Sequence, residues 1–244
     1  MISQNPHKGI SLTKRILLFT GDLNSLIAYR YLQRNFGEAE LIHCKLGLQK
    51  DQEEIKSLKA VAAEIKRSVM VEPSINLSFQ ENNDNTVPLK VMYMLMTASK
   101  YGDHICVPAP AGENVESKNR TQMVFWRASR VLSETLGRRI VCDTLFDKMT
   151  KSMMVKWYNS QNLPESELVG TRDCYSGKNG DPCWNCNKCF RRWVALINNN
   201  IFEVGHEQMA KSVVTKSYIT NLSLHTPERQ HEITSAVANY QGAV

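Results

Sequence analysis

The 244 residues carry a formal net charge of +6 and are 42% hydrophobic, enough chain to bury a substantial core. No apolar run reaches the roughly 18–20 residues needed to cross a membrane, and MISQNPHKGISLTKR has no apolar leader segment, so the expectation is a cytoplasmic protein. The moderate basic excess favours anionic partners without naming one.

RILLFT (15–20) reads as a short buried strand. Leu23, Leu26, Ile27, Tyr31 and Leu32 then recur near a 3.6-residue period, which predicts a helix over 23–36 closed by Gly37. Between the two lies TGDLNS, placed where a phosphate-binding loop sits, between a strand and a helix N-terminus. LIHCKL (41–46) predicts a second strand, 51–66 a charged helix with Ile55, Leu58, Ala62 and Ile65 on one face, and 68–72 a third strand. Alternating strands and helices of these lengths predict an α/β fold: a parallel sheet flanked by helices, joined by right-handed crossovers.

ENNDNTVP belongs to a loop over 73–89, followed by an apolar helix over 90–100 and a strand at 103–108. APAGENVESKNR is a loop long enough to cover a site. A helix over 119–136, a strand in RRIVCDTL and a helix opening at Asp147 complete the alternation, which stops near Leu163. The division expected is an α/β domain over 1–165, a cysteine-rich segment over 166–200 and a helical tail over 201–244. In the tail, Val204, Met209, Val213 and Val214 mark one candidate helix, and Ile233, Val237 and Tyr240 another.

CYSGKNGDPCWNCNKC carries the strongest chemical signal, spacing Cys174, Cys183, Cys186 and Cys189 so that four thiolates can close on one tetrahedral ion. Gly177, Gly180 and Pro182 supply the turns. Disulfides are disfavoured in a cytoplasmic chain. A four-cysteine iron–sulfur cluster stays open on spacing alone, with structural zinc preferred. Cys44, Cys106 and Cys142 lie singly in predicted strands and read as core residues.

DCYSGKNGDPCWNCNKCFRR resembles the zinc segment of the QueC family of 7-cyano-7-deazaguanine synthases, and LFDKMTKSMMVKWYNSQNL, with Asp147 and Lys148, resembles the stretch before it. The likeness runs from about Arg15 to Ile201, stronger after residue 145. It implies the PP-loop (adenine nucleotide alpha hydrolase-like) fold with structural zinc. It also implies an ATP- and magnesium-dependent ligase that turns 7-carboxy-7-deazaguanine into the amide and then the nitrile, so a nucleotide and a deazapurine are the implied ligands. Related proteins also occur in phage DNA-modification and antiviral defence gene sets.

The family loop Ser-Gly-Gly-x-Asp-Ser matches Thr20, Gly21, Asp22, Leu23, Asn24 and Ser25 here. Asp22 brings a carboxylate where glycine admits phosphate; at about 4 Å each unit of like charge costs roughly 1–4 kcal/mol. Asp22 alternatively caps the helix. Val-Pro-Gly-Arg-Asn becomes Val87-Pro88-Leu89-Lys90-Val91, leaving Lys90 as a charge without a planar fork, and the loop near Gly112 and Glu113 lacks the family's substrate-reading pattern. Two functions follow: a ligase using Thr20–Ser25 with Lys90, or a QueC-fold protein that no longer uses ATP and serves as a binding or assembly component. For the second, the contact surfaces are the tail and the basic stretch 118–139, where Lys118, Arg120, Arg127, Arg130, Arg138 and Arg139 face Glu134 alone. A homo-oligomer or a protein partner fits either surface.

Overall fold

The computed structural model describes residues 14–48, 51–73, 75–80, 87, 89–111, 121–174 and 182–242. Among these, Arg15–Leu18 (β1), Glu40–Lys45 (β2), Val69–Pro73 (β3), His104–Val107 (β4) and Val141–Thr144 (β5) form one five-stranded sheet. Every pairing is parallel, in the order β3-β2-β1-β4-β5; Ile16 lies opposite Glu40 on one side and Ile105 on the other. The first two crossovers step outward from β1 and the third jumps back past it to β4. Such a reversal opens a crevice beyond the carboxyl ends of β1 and β4, where open α/β sheets hold ligands. TGDLNS begins at that edge.

Leu23–Phe36 (α1) and Asp51–Glu64 (α2) cover one face of the sheet, while Lys90–Ala98 (α3) and Gln122–Leu136 (α4) cover the other. The pleat sorts β1 between them: Leu17 and Phe19 join Leu26, Ile27, Leu58 and Val61, whereas Ile16 and Leu18 join Ile42, Leu95, Phe125 and Leu132. Burial on both faces explains the unbroken apolar run of ILLF. Each such side chain contributes about 1.5–3 kcal/mol. Cys44, Cys106 and Cys142 are buried within these layers. Burial pushes the Cys142 thiol up to about 12 and that of Cys106 higher still, as inert core thiols require.

Lys151–Ser160 (α5) starts four residues later than the predicted Asp147. Phe146 and Met149 instead form a turn whose carbonyls both accept from Ala111 N at 2.9 Å, tying it to the segment after β4. The Thr150 hydroxyl then caps α5 by accepting from Met153 N. Glu165–Gly170 (α6) follows, and its Glu167 pairs with Arg30 of α1 and accepts from Tyr158 Oη at 2.8 Å.

Asn187–Ile197 (α7) lies under both the α/β layers and the tail. Its Ala195 and Leu196 join the first core, while Phe190, Trp193 and Ile197 build a third with Met209, Ile233 and Ala236. The tail forms His206–Lys211 (α8), Val213–Thr220 (α9) and Pro227–Gly242 (α10). The Ser212 hydroxyl accepts from Thr215 N and splits the predicted first tail helix in two. Phe190 stacks on Tyr218 at 4.0 Å and Trp193 meets Tyr240 edge-on at 5.9 Å, so the tail packs on its own chain. Among the described residues no helix is long and apolar enough to cross a membrane.

Candidate phosphate loop and metal centre

Gly21 takes φ of +71°, and a Cβ there would meet Leu58 Cα at 2.7 Å. The glycine is thus required by the close approach of α2, whatever the loop binds. Asp22 follows in extended conformation and caps α1: its Oδ1 accepts from Ser25 N at 2.8 Å, and Ser25 Oγ donates to Asp22 O at 3.0 Å. The amide a phosphate would use is therefore held by the chain's own carboxylate. Leu23, Asn24 and Ser25 are buried in the first turn. The Thr20 hydroxyl is enclosed, with no hydrogen-bond partner among the described residues.

Next to this loop, within β2, buried His43 sets Nδ1 3.2 Å from Phe19 O. Burial lowers its pKa and Lys90 adds to the effect against Glu54 and Asp51, so it stays neutral. Lys90 opens α3, close enough for its charge to reach His43. Before it, Leu89 is exposed at φ of +58°, a left-handed conformation that favours glycine. Lys118 and Arg120, the loop residues Gly112 and Glu113, Pro88, and the turn glycines Gly177 and Gly180 lie outside the described residues.

Behind the loop lies a buried ionic network that the sequence reading missed. Arg192, on α7, is 1% exposed. Its Nη1 donates to Thr171 Oγ1 at 2.6 Å and Asp173 Oδ2 at 3.0 Å, its Nη2 to Leu168 O at 2.8 Å, and its fork closes on Glu203. Lys151 Nζ takes the other oxygen of Asp173 at 3.3 Å. Burial raises the Asp173 carboxyl, but Lys151 and Arg192 outweigh it and hold it at about 2. One hint was available: Arg192 falls on the helical stripe of Cys189, Trp193 and Leu196, where an arginine has to be paired.

The network reaches the loop. Burial raises the pKa of Asp22, and the charge of Asp173 raises it further against Lys188 and Lys151. Asp22 therefore costs stability: above the unfolded carboxyl pKa of about 3.9, the folded state holds the proton longer, so stability falls as pH rises and the cost is complete above the folded pKa. Asp22→Asn keeps the cap and removes the charge. It is expected to raise the thermal midpoint at pH 8, with the gain shrinking towards pH 4; a lower midpoint at pH 8 would show that the lysines outweigh Asp173.

Cys174, Cys183, Cys186 and Cys189 converge, all four sulfurs lying within 4.8 Å of one another. Cys183 and Cys189 sulfurs are 3.9 Å apart. Backbone amides point at them, Cys183 N to Cys174 Sγ at 3.2 Å and Asn185 N to Cys183 Sγ at 3.4 Å. Burial, with the other cysteines, pushes the Cys183 thiol to about 11; hydrogen bonding from Cys174 and Cys186 pushes Cys189 further up. Four thiolates this close repel unless a cation sits among them, so the donor set fits a metal. Trp184 and Cys189 join the third core, and Cys186 immediately precedes α7.

With this geometry in hand, sequence comparison adds no identity. No protein-family model matches the chain, and neither does any curated protein. Among solved structures it is similar to the U34-tRNA thiolase NcsA from Methanococcus maripaludis, which carries a [4Fe-4S] cluster. The identity is 11%, the match covers 94% of this chain and 72% of that one, and the TM-score is 0.41. No family follows from a likeness at that level.

Proposed function

We propose that this chain is a QueC-like protein of the PP-loop type whose phosphate loop is closed by its own aspartate, and that it serves as a binding or assembly component rather than as a synthase. The observation that carries this is the bond from Ser25 N to Asp22 Oδ1. A nucleotide phosphate would have to displace a carboxylate from the helix N-terminus and then sit beside its charge. The QueC likeness gains support from Leu89, whose glycine-type backbone lies where the family motif has glycine.

For the metal, the sulfur spacing supports a single zinc ion. Sulfurs about 2.3 Å from one tetrahedral ion lie about 3.8 Å apart, close to the 3.9 Å between Cys183 and Cys189. A cluster giving each cysteine its own iron spreads them wider. Bound zinc would supply no chemistry in a closed four-thiolate site; Cys174, Cys183, Cys186 and Cys189 would hold it as a staple between the α/β layers and the tail.

The ligase reading keeps one observation, the enclosed Thr20 hydroxyl at the crevice, which has no hydrogen-bond partner among the described residues. Calorimetry with ATP and magnesium separates the two. No heat is expected up to about 1 mM, roughly −4 kcal/mol, whereas Asp22→Gly with Asn24→Asp is expected to gain measurable affinity. Wild-type binding at micromolar ATP, with pyrophosphate release on 7-carboxy-7-deazaguanine and ammonia, would establish the ligase instead.

A further inference from the structure

The outer face of α4 lies within the basic stretch 118–139, and nothing in the fold above covers it among the described residues. Its inner face is fixed: Phe125, Ala128 and Leu132 are buried against the sheet, while Ser129 and Ser133 accept from Cys142 N and Ile140 N, each at 2.8 Å, along β5. The outer face exposes Met123, Trp126 and Val131 by 54%, 52% and 55%. Arg130 lies over the Trp126 ring, 5.3 Å from its centroid. Beside them the surface dips into a hollow of about 410 Å³ lined, among the described residues, by Gln122, Met123 and Trp126.

Among the described residues, the exposed charge on this face is mostly positive. Arg127 and Arg130 are exposed on the helix and Arg139 just beyond it; the single acid of α4, Glu134, is 3.7 Å from Arg130. Arg138 is engaged elsewhere, by Asp103. The helix has no lysine. Tryptophan, methionine and arginine together, with lysine and acids scarce, form the composition of a protein interface centre, and tryptophan and arginine are its commonest anchors. A single-stranded nucleic acid would instead need several rings on which successive bases stack. α4 exposes one ring, and Met123 and Val131 add aliphatic surface that bases do not need.

We propose that the outer face of α4 docks a partner protein through an apolar patch ringed by aspartate and glutamate, with Trp126 as anchor and Arg127 and Arg130 as the charges that fix its register. The contact would give the assembly reading its surface, yet it stands whether or not the loop binds nucleotide, since its test contains none.

The full chain with benzoylphenylalanine at Met123 is photo-cross-linked in its native cells, and the adduct is mapped by mass spectrometry. The expected result is a distinct protein cross-linked within an acidic-rimmed apolar segment. With that protein purified, Trp126→Ala and the double variant Arg127→Glu/Arg130→Glu are each expected to weaken binding by about tenfold or more. Acid-to-lysine changes in the mapped segment should restore the double variant, and wild-type affinity should fall with salt. Circular dichroism checks that both variants remain folded; the double variant, which leaves the apolar patch intact, decides the matter if Trp126→Ala does not fold. An adduct lost to nuclease, an adduct with a second copy of this chain, no adduct at all, or affinity unchanged in the folded variants would each overturn the proposal.

Discussion

Arg192→Met is expected to cost about 3–5 kcal/mol, the penalty for removing one partner from a buried ionic cluster. The guanidinium serves Asp173, Glu203, Thr171 Oγ1 and the Leu168 carbonyl at once, and both acids are nearly inaccessible to water. Methionine fills much of the volume but takes the guanidinium from Glu203 and from one oxygen of Asp173, leaving Lys151 to hold the other alone. Against a typical stability of roughly 5–15 kcal/mol, the loss is large. Arg192→Lys keeps the charge and loses the planar fork, so an intermediate loss is expected. Because the penalty lies in the stranded acids, Asp173→Asn with Glu203→Gln should recover part of it in the methionine background. Urea midpoints measure all three; a loss under about 1 kcal/mol for Arg192→Met would show that water reaches the acids and the cluster holds little.

The layers of the fold were legible in the sequence because their signals are local. Alternation of short apolar runs with helical periodicity marks β1, α1, β2 and α2, and four cysteines at short spacing mark a candidate metal site without any knowledge of the sheet. The loop's position was legible for the same reason. Its chemistry was only half so: Asp22 read equally as an intruder at a phosphate site or as a cap, and the hydrogen bond to Ser25 N is what makes it a cap. The coupling between Asp22 and Asp173 lay out of reach, since 151 positions separate them and no periodicity links the two. The delayed start of α5 has a similar cause, because the carbonyls of Phe146 and Met149 are claimed by Ala111 on a distant loop.

Removing the zinc proposed for the four cysteines is expected to have the second large effect, confined first to the C-terminal third. Metal analysis should find one zinc per chain and no iron; iron with visible absorption would overturn the single-ion assignment. Cys174 adjoins Asp173, Cys186 immediately precedes α7, and α7 carries both Arg192 and the third core, so the four-cysteine site, the ionic network and the tail share one helix. Without the ion, four thiols within 4.8 Å must stay protonated or separate, and the segment loses what closes it. Cys186→Ser should therefore lose more than about 4 kcal/mol, which at roughly 2–4 °C per kcal/mol lowers the melting midpoint by about 10 °C or more. Trp184 and Trp193 are buried in that third core and report on it directly once Trp126 and Trp157 are changed to phenylalanine. A strong chelator should then shift their emission to the red before the α/β layers melt, because the sheet keeps its own two cores. Emission and midpoint unchanged after complete zinc removal would show that α7 and the tail hold themselves, and that the four cysteines do not act as a staple.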